Sequence, residues 1–276
     1  MARFFPSRSP GCNTDAKRSL DKTYLRKAEA SGAEVWVETT VVGFSKAKFE
    51  RNSERHWQVV IENTNGGGRE VLQSHHLVLA AGTFGTLELL HHERHHLHLS
   101  DVFGKTMSMN GDGAAFLYNT PHKTSTEHGA PISTCVRLPF HDRTGRERIL
   151  TVMSGRIPKS IMPLLARTLA TAADLLPRDR TAPREQGRSV VPRAHKRLLD
   201  IAGQFENGAL AHSFMFKLDA QDSASGQAAF DANGKASLAW KDYATDPIML
   251  FARDRLHQWA KQMGGRVIEE LARWPL

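Results

Sequence analysis

The chain has 276 residues, 40% of them hydrophobic and 24% charged, with a net charge of +8 and a pI near 9.7. That is enough apolar material for one large domain or two ordinary ones. Two cysteines, Cys12 and Cys135, exclude a disulfide framework and a C-x-x-C metal site, so a reducing, cytoplasmic setting is the expectation.

No apolar run reaches the roughly 18 residues of a membrane span, and the first residues, "MARFFPSRSPG", lack the apolar core of a signal peptide. Lys and Arg are scattered, with loose density only over Arg178–Arg197. The excess charge reads as solvated surface, and no nucleic-acid partner is expected because no aromatic-plus-basic stripe or recognition motif is present. The competing reading of a basic, non-enzymatic protein that binds a polyanion or a partner subunit predicts a steep salt dependence of binding.

In chain order, "SLDKTYLRKAEASGAE" predicts a helix, with Ser19 as N-cap, Leu20, Tyr24, Leu25 and Ala28 at helical spacing, and Gly32 as the stop. "EVWVETTVVGFSK" predicts a strand bent near Thr39–Thr40. "HWQVVIEN" and "REVLQ" flank "TNGGG" as a hairpin. "HHLVLAAG" is a continuous apolar run ending in small residues, which predicts a strand buried on both faces in a parallel sheet. "TFGTLELLHHERHH" follows as a helix, with Thr83 and Thr86 as capping residues.

From Phe103 onward, "GAAFLYNT", "PISTCVRLPF" and "RERILTVMSG" read as strands of an antiparallel sheet, and "SIMPLLARTLATAADLLP" as an amphipathic helix. "RDRTAPREQGRSVVPRAH" reads as a mobile loop. "GALAHSFMFKLD", "GQAAFD" and "ASLAW" read as further strands of the same second sheet, and "DPIMLFARDRLHQWAKQMGGRVIEELARW" as a closing helix with a break at Gly264–Gly265. The fold class is therefore α/β (α+β): a partial Rossmann-like domain with a β-meander over residues 1–100, an antiparallel-sheet domain over 101–245, and a closing helix over 246–276.

Three stretches invite chemistry. In "HHLVLAAGTFGTLELL" small residues lead into a helix N-terminus, which suits a nucleotide-proximal turn but equally suits close helix–strand packing. "GDGAAF" is no dinucleotide fingerprint, because its sixth residue is Phe116 and no buried strand precedes it. His91/His95 and His92/His96 are i,i+4 pairs that could bind a metal, but no carboxylate base lies between them and an exposed helix end explains them as well; no metal is assigned.

Together these segments resemble the glucose–methanol–choline (GMC) oxidoreductases, especially their bacterial cholesterol-oxidase-like members. "GCNTDAKRSLDKTYL" is similar to the family's "GCNTGAKNTLDxNYL", "HHLVLAAGTFGTLELL" to "lilAAGsLGTtELLl", and "LSDVFGKTMSMNGDGAAFLYN" to "LSdxLGrrfsgNGD" followed by a strand. The resemblance covers residues 11–119 well and continues in pattern to Trp240. It implies an FAD-dependent oxidation of an alcohol, sterol-like or otherwise apolar, to a carbonyl.

It further implies that Gly11, Cys12, Asn13 and Thr14 lie near the flavin, that the backbone at Val41 grips the adenine, that Ala81, Gly82 and Gly85 line the cofactor, and that Asn110, Gly111 and Asp112 lie on the flavin side of the active site. No catalytic residue carries over. The family's pyrophosphate-cradling G-x-G-x-x-G and its catalytic H-P-x-G-G do not occur in these 276 residues, Asp15 stands where the motif has Gly, and Met153 stands where cholesterol-oxidase-like members carry a Glu. The expectation from the resemblance is a fragment that is inactive alone, exposes a sheet edge at His76–Ala80 and aggregates easily, with room for a complementing polypeptide.

Overall fold

The computed structural model describes residues 17–46, 56–124, 132–175, 192–240 and 242–269. The fold is mixed, α+β, and every described strand pairing is antiparallel. The described residues divide into two compact units, one drawn from 108–223 and 242–269, the other from 18–107 and 224–240. No helix of the described residues is long and apolar enough to cross a membrane.

The second of these, the meander unit, opens with a 3-10 turn over Leu20–Lys22 and helix α1 over Tyr24–Ala30. The predicted single helix is thus interrupted at Thr23, whose hydroxyl donates to the Ser19 carbonyl at 2.9 Å. Strand β1 runs Thr39–Lys46 and pairs with β2, Trp57–Asn63, which pairs with β3, Arg69–Ser74. The bend expected at Thr39–Thr40 lies at Glu38, whose φ is +52°. A bulge between Val41 and Gly43 then twists the strand.

Phe44, Val59 and Ile61 form the buried centre of this unit, with Trp57, Leu77, Leu79, Leu89, Leu90 and Leu97 packed around it. Helix α2, Gly82–His92, and the short α3, Arg94–Leu97, supply the last three.

The expected buried parallel strand "HHLVLAA" is not one. Residues 75–80 belong to no helix and join no ladder, and Val78 is 83% exposed. Only Leu77 and Leu79 turn toward the core, the period-2 pattern of a half-buried chain. A strand exists only where a neighbouring strand takes up its N–H and C=O groups, whereas here the His76 carbonyl is met by a side chain, the Ser74 hydroxyl at 2.9 Å.

The other unit is a five-stranded sheet of order β10-β4-β7-β6-β5. Its strands are β4 (Gly113–Tyr118), β5 (Cys135–His141), β6 (Glu147–Gly155), β7 (Phe214–Ala220) and β10 (Arg266–Ile268). On β4 alternate residues serve two cores. Ala115 and Leu117 join Leu150, Val152 and Leu218 beneath helix α6, Pro247–Met263. Phe116 and Tyr118 join Ile157 and Ile268 beneath helix α4, Met162–Leu175. Burial on both faces explains why "GAAFLY" is apolar throughout. Pro139 is tolerated because β5 is an edge strand.

Three expectations are corrected in and around this sheet. The stretch taken as loop through His195 lies mostly outside the described residues, but its end belongs to helix α5, Arg193–Ile201. The closing helix does end at Gly264, in the left-handed conformation, yet the chain beyond it forms β10 against β4. Finally, β8 (Gln227–Phe230) and β9 (Ala236–Ala239) form a separate two-stranded hairpin that belongs with the meander unit. There Phe230 stacks on His91 at 3.8 Å, a Cβ at Gly234 would stand 2.7 Å from the His92 ring, and Glu88 accepts the Ala236 N–H at 2.9 Å. Two of the five clustered histidines therefore serve as a seat for this hairpin. Burial against it, followed by the Arg94 charge, lowers the His91 pKa.

Candidate functional site

Gly11, Cys12, Asn13 and Thr14, and Asp15 with them, lie outside the described residues. The remaining expected residues fall in two groups, one in each unit.

In the meander unit, Ala81 is the N-cap of α2 and makes no side-chain capping bond. Thr83 and Thr86 sit inside the helix, so neither caps it as expected. The first amides of a helix without such a cap carry the positive end of its dipole. Gly82 has φ +71°, and a Cβ built on it would meet nothing within 4 Å. Its glycine is demanded by backbone conformation, and the space beside it is open. Gly85 differs, because a Cβ there would press on Ala81 at 3.1 Å. Val41, at the bulge of β1, lines an open groove of about 400 Å³ over the meander together with Trp36, Val59, Ile61 and Leu72. Trp36 is held by its indole N–H, which donates to Glu34 at 2.9 Å.

In the sheet unit, Asn110 (φ +59°) and Gly111 (φ +56°) form a left-handed turn into β4. The turn crosses directly over Ala220 of β7. The Asn110 carbonyl accepts the Ala220 N–H at 2.7 Å, and a Cβ at Gly111 would collide with the Ala220 Cβ and stand 2.7 Å from its nitrogen. Asp222 holds the turn from below, accepting the N–H groups of Met109 at 2.9 Å and Gly111 at 3.1 Å. Tyr243 donates its hydroxyl to the Asp112 carbonyl at 2.5 Å.

The Asp112 carboxylate faces the Lys217 ammonium at 3.7 Å, and Lys217 also reaches Asp219 at 3.3 Å. Desolvation and then hydrogen bonding with Asp219 raise the Asp112 pKa, while Asp219 raises that of Lys217. Lys217 lies directly across the ladder from Met153 on one side and Ala114 on the other, so all three share a sheet face.

Asp222, Tyr243, Lys217 and Asp219 were missed by the sequence reading. Asp222 stands 111 residues from Gly111, and no local pattern announces a partner at that distance.

An FAD fits part of this arrangement. The open space beside Gly82 and the α2 N-terminus without a side-chain cap suit an anionic group close to backbone, and the apolar groove at Val41 suits a flat ring. The bare backbone at Gly111 is filled instead by Ala220 of the same chain, so that glycine requires no ligand to explain it.

No family model matches the chain. Over 135 residues, 46% of the chain, it is 37% identical to cholesterol oxidase of Mycobacterium tuberculosis strain CDC 1551 / Oshkosh, and to the same degree to that of strain H37Rv. The shared stretch spans 22% of the length of those relatives. Identity at that level over that length relates this stretch of the chain to those oxidases.

Proposed function

We propose that these residues carry part of an FAD-dependent alcohol oxidoreductase of the GMC type, acting on an apolar alcohol. The observation that carries this reading is the 37% identity to cholesterol oxidase over 135 residues, and the order of three family-like motifs supports it. When bound, the flavin would supply the acceptor for hydride leaving the alcohol carbon.

The chain's own contributions are positional. Gly82, with open space beside it, would leave room for a cofactor phosphate close to the backbone, and the first amides of α2 would offer it N–H donors. Val41 would offer backbone and an apolar wall to the adenine in the groove it lines. Asp222 and Tyr243 fix the Asn110–Asp112 turn, which sets where the Asp112 carboxyl stands. Met153 adds apolar surface where cholesterol-oxidase-like members place an acid.

The pyrophosphate cradle G-x-G-x-x-G is absent from these residues. The 276-residue chain should therefore bind FAD weakly, with a Kd above about 10 μM, and oxidise no alcohol. Titration of the purified chain into FAD, read by flavin absorbance and fluorescence, is expected to give a shallow saturable change. Unchanged FAD spectra at a large excess of protein contradict the assignment of the cofactor. Tight stoichiometric binding contradicts the weakness ascribed to the missing cradle.

A further inference from the structure

Helix α5 is turned inside out. Lys196 and Asp200, one helical turn apart and so on one face, are 2% and 3% exposed, whereas Leu198 and Ile201 are 61% and 62% exposed. Past Ile201 the chain loops through Gly203–Asn207 and returns along the same helix. The return is clasped at its end. The Asp200 Oδ2 accepts the Leu210 N–H at 3.0 Å, the carboxyl also receives the Ala209 N–H, and the Lys196 carbonyl accepts the Ala209 N–H at 3.1 Å.

Gly208 passes so close that a Cβ on it would collide with the Asp200 carboxyl group. The other carboxyl oxygen, Oδ1, has no hydrogen-bond partner among the described residues. In mid-loop, Phe205 packs on the cluster that contains Phe116, Ile157 and Leu169. The loop also walls an open pocket with Lys159 and Met162.

We propose that Asp200 is a protonation-controlled latch: its neutral carboxyl locks the loop Ala202–Gly208 onto α5, and ionisation lets the loop lift and uncover Phe205 and the pocket it walls. A buried carboxylate loses hydration that two N–H groups only partly replace, and desolvation accordingly pushes the Asp200 pKa up to about 7.

The groups facing it do not reverse this. From β4, Tyr118 is itself desolvated and remains a neutral phenol. On α5, Arg197 lies over the Tyr118 ring and pairs with Asp174 of α4 at 2.5 Å, and the Lys196 ammonium donates to the Thr120 carbonyl at 3.3 Å. From the turn Leu210–His212, the His212 ring bonds the Gly208 carbonyl at 2.9 Å, and burial lowers its pKa, which favours the neutral ring.

The sign follows from linkage. In the closed loop the carboxyl keeps its proton up to about pH 7, and in the lifted, hydrated loop only up to its ordinary 3.8. Opening therefore releases one proton between those values. The opening constant rises about tenfold per pH unit from about pH 4 to 7 and levels off above, so acidification tightens the latch.

Amide hydrogen exchange of the full chain from pH 5 to 8, corrected for intrinsic rates, reads this at Ala209 and Leu210. Their protection is expected to fall about tenfold per pH unit up to pH 7 and then flatten, and Asp200→Asn should remove the slope. Protection in the wild type that does not change between pH 5 and 7, or a slope that persists in Asp200→Asn, overturns the proposal. The carboxyl carbon of Asp200 provides a second reading that needs no variant. By carbon-13 NMR it should titrate near pH 7, and a midpoint near 4 overturns the latch.

Discussion

Gly111→Ala is expected to destabilise the five-stranded unit by about 4 kcal/mol, adding the cost of a left-handed alanine to that of an overpacked contact. The new methyl would collide with the Ala220 Cβ and lie within 3 Å of its nitrogen and Cα, which are backbone and cannot swing aside. The turn would have to lift from β7, breaking the bond from the Ala220 N–H to the Asn110 carbonyl and the two amides held by Asp222. Thermal or urea unfolding followed by circular dichroism measures the loss.

Gly82→Ala is the informative comparison. It carries only the backbone strain of about 1 kcal/mol, because the space around it is open. If Gly82 serves a ligand, its substitution should show in FAD affinity far more than in stability. Equal stability losses at the two glycines would refute the distinction between a structural turn and a ligand-facing one.

Arg148→Met is the second large effect, expected to lower stability by about 3 kcal/mol because it takes a cationic partner from the buried Asp246 carboxylate, leaving it only backbone N–H donors. Arg148 is nearly buried and joins three segments. It meets Asp142 of the β5–β6 turn at 3.1 Å, the Ser223 hydroxyl at 2.8 Å and Asp246 at 3.7 Å. Asp246 caps α6 through the Ile248 N–H and also accepts the Ser223 N–H at 2.7 Å. The Thr144 hydroxyl, at 2.5 Å, keeps the Asp142 carboxyl below its usual range, so that end of the network stays charged. Arg148→Lys should recover part of the loss, since a point charge restores the attraction without the fork. A methionine variant as stable as the wild type would show that the network contributes nothing net.

Strands β4, β5, β6 and β7 of the main sheet were legible because each has a local signature, alternation or a continuous apolar run, bounded by turn residues. Helix α5 was not, because its inward residues are Lys196 and Asp200 and its outward ones Leu198 and Ile201, the reverse of the pattern that marks an amphipathic helix. Strand β10 is three residues long and exists only through its pairing with β4. The run at His76–Ala80 failed in the opposite sense. Its composition promises a strand, but strandedness depends on a neighbour and not on composition.

For the candidate site, the sequence located the conspicuous glycines without telling their reasons apart. Gly111 answers to Ala220, more than 100 residues later in the chain, whereas Gly82 answers to no neighbour. The residues that fix the Asn110–Asp112 turn, Asp222 and Tyr243, are ordinary in sequence and become visible only when the chain brings them together.

The most direct test of the central claim is amide hydrogen exchange of the 276-residue chain with and without a large excess of FAD, resolved by residue. Added protection at Ala81–Gly85 and around Val41, diminished in Gly82→Ala, is the predicted result. Exchange at those amides that FAD leaves unchanged, or protection confined to other parts of the chain, would contradict it.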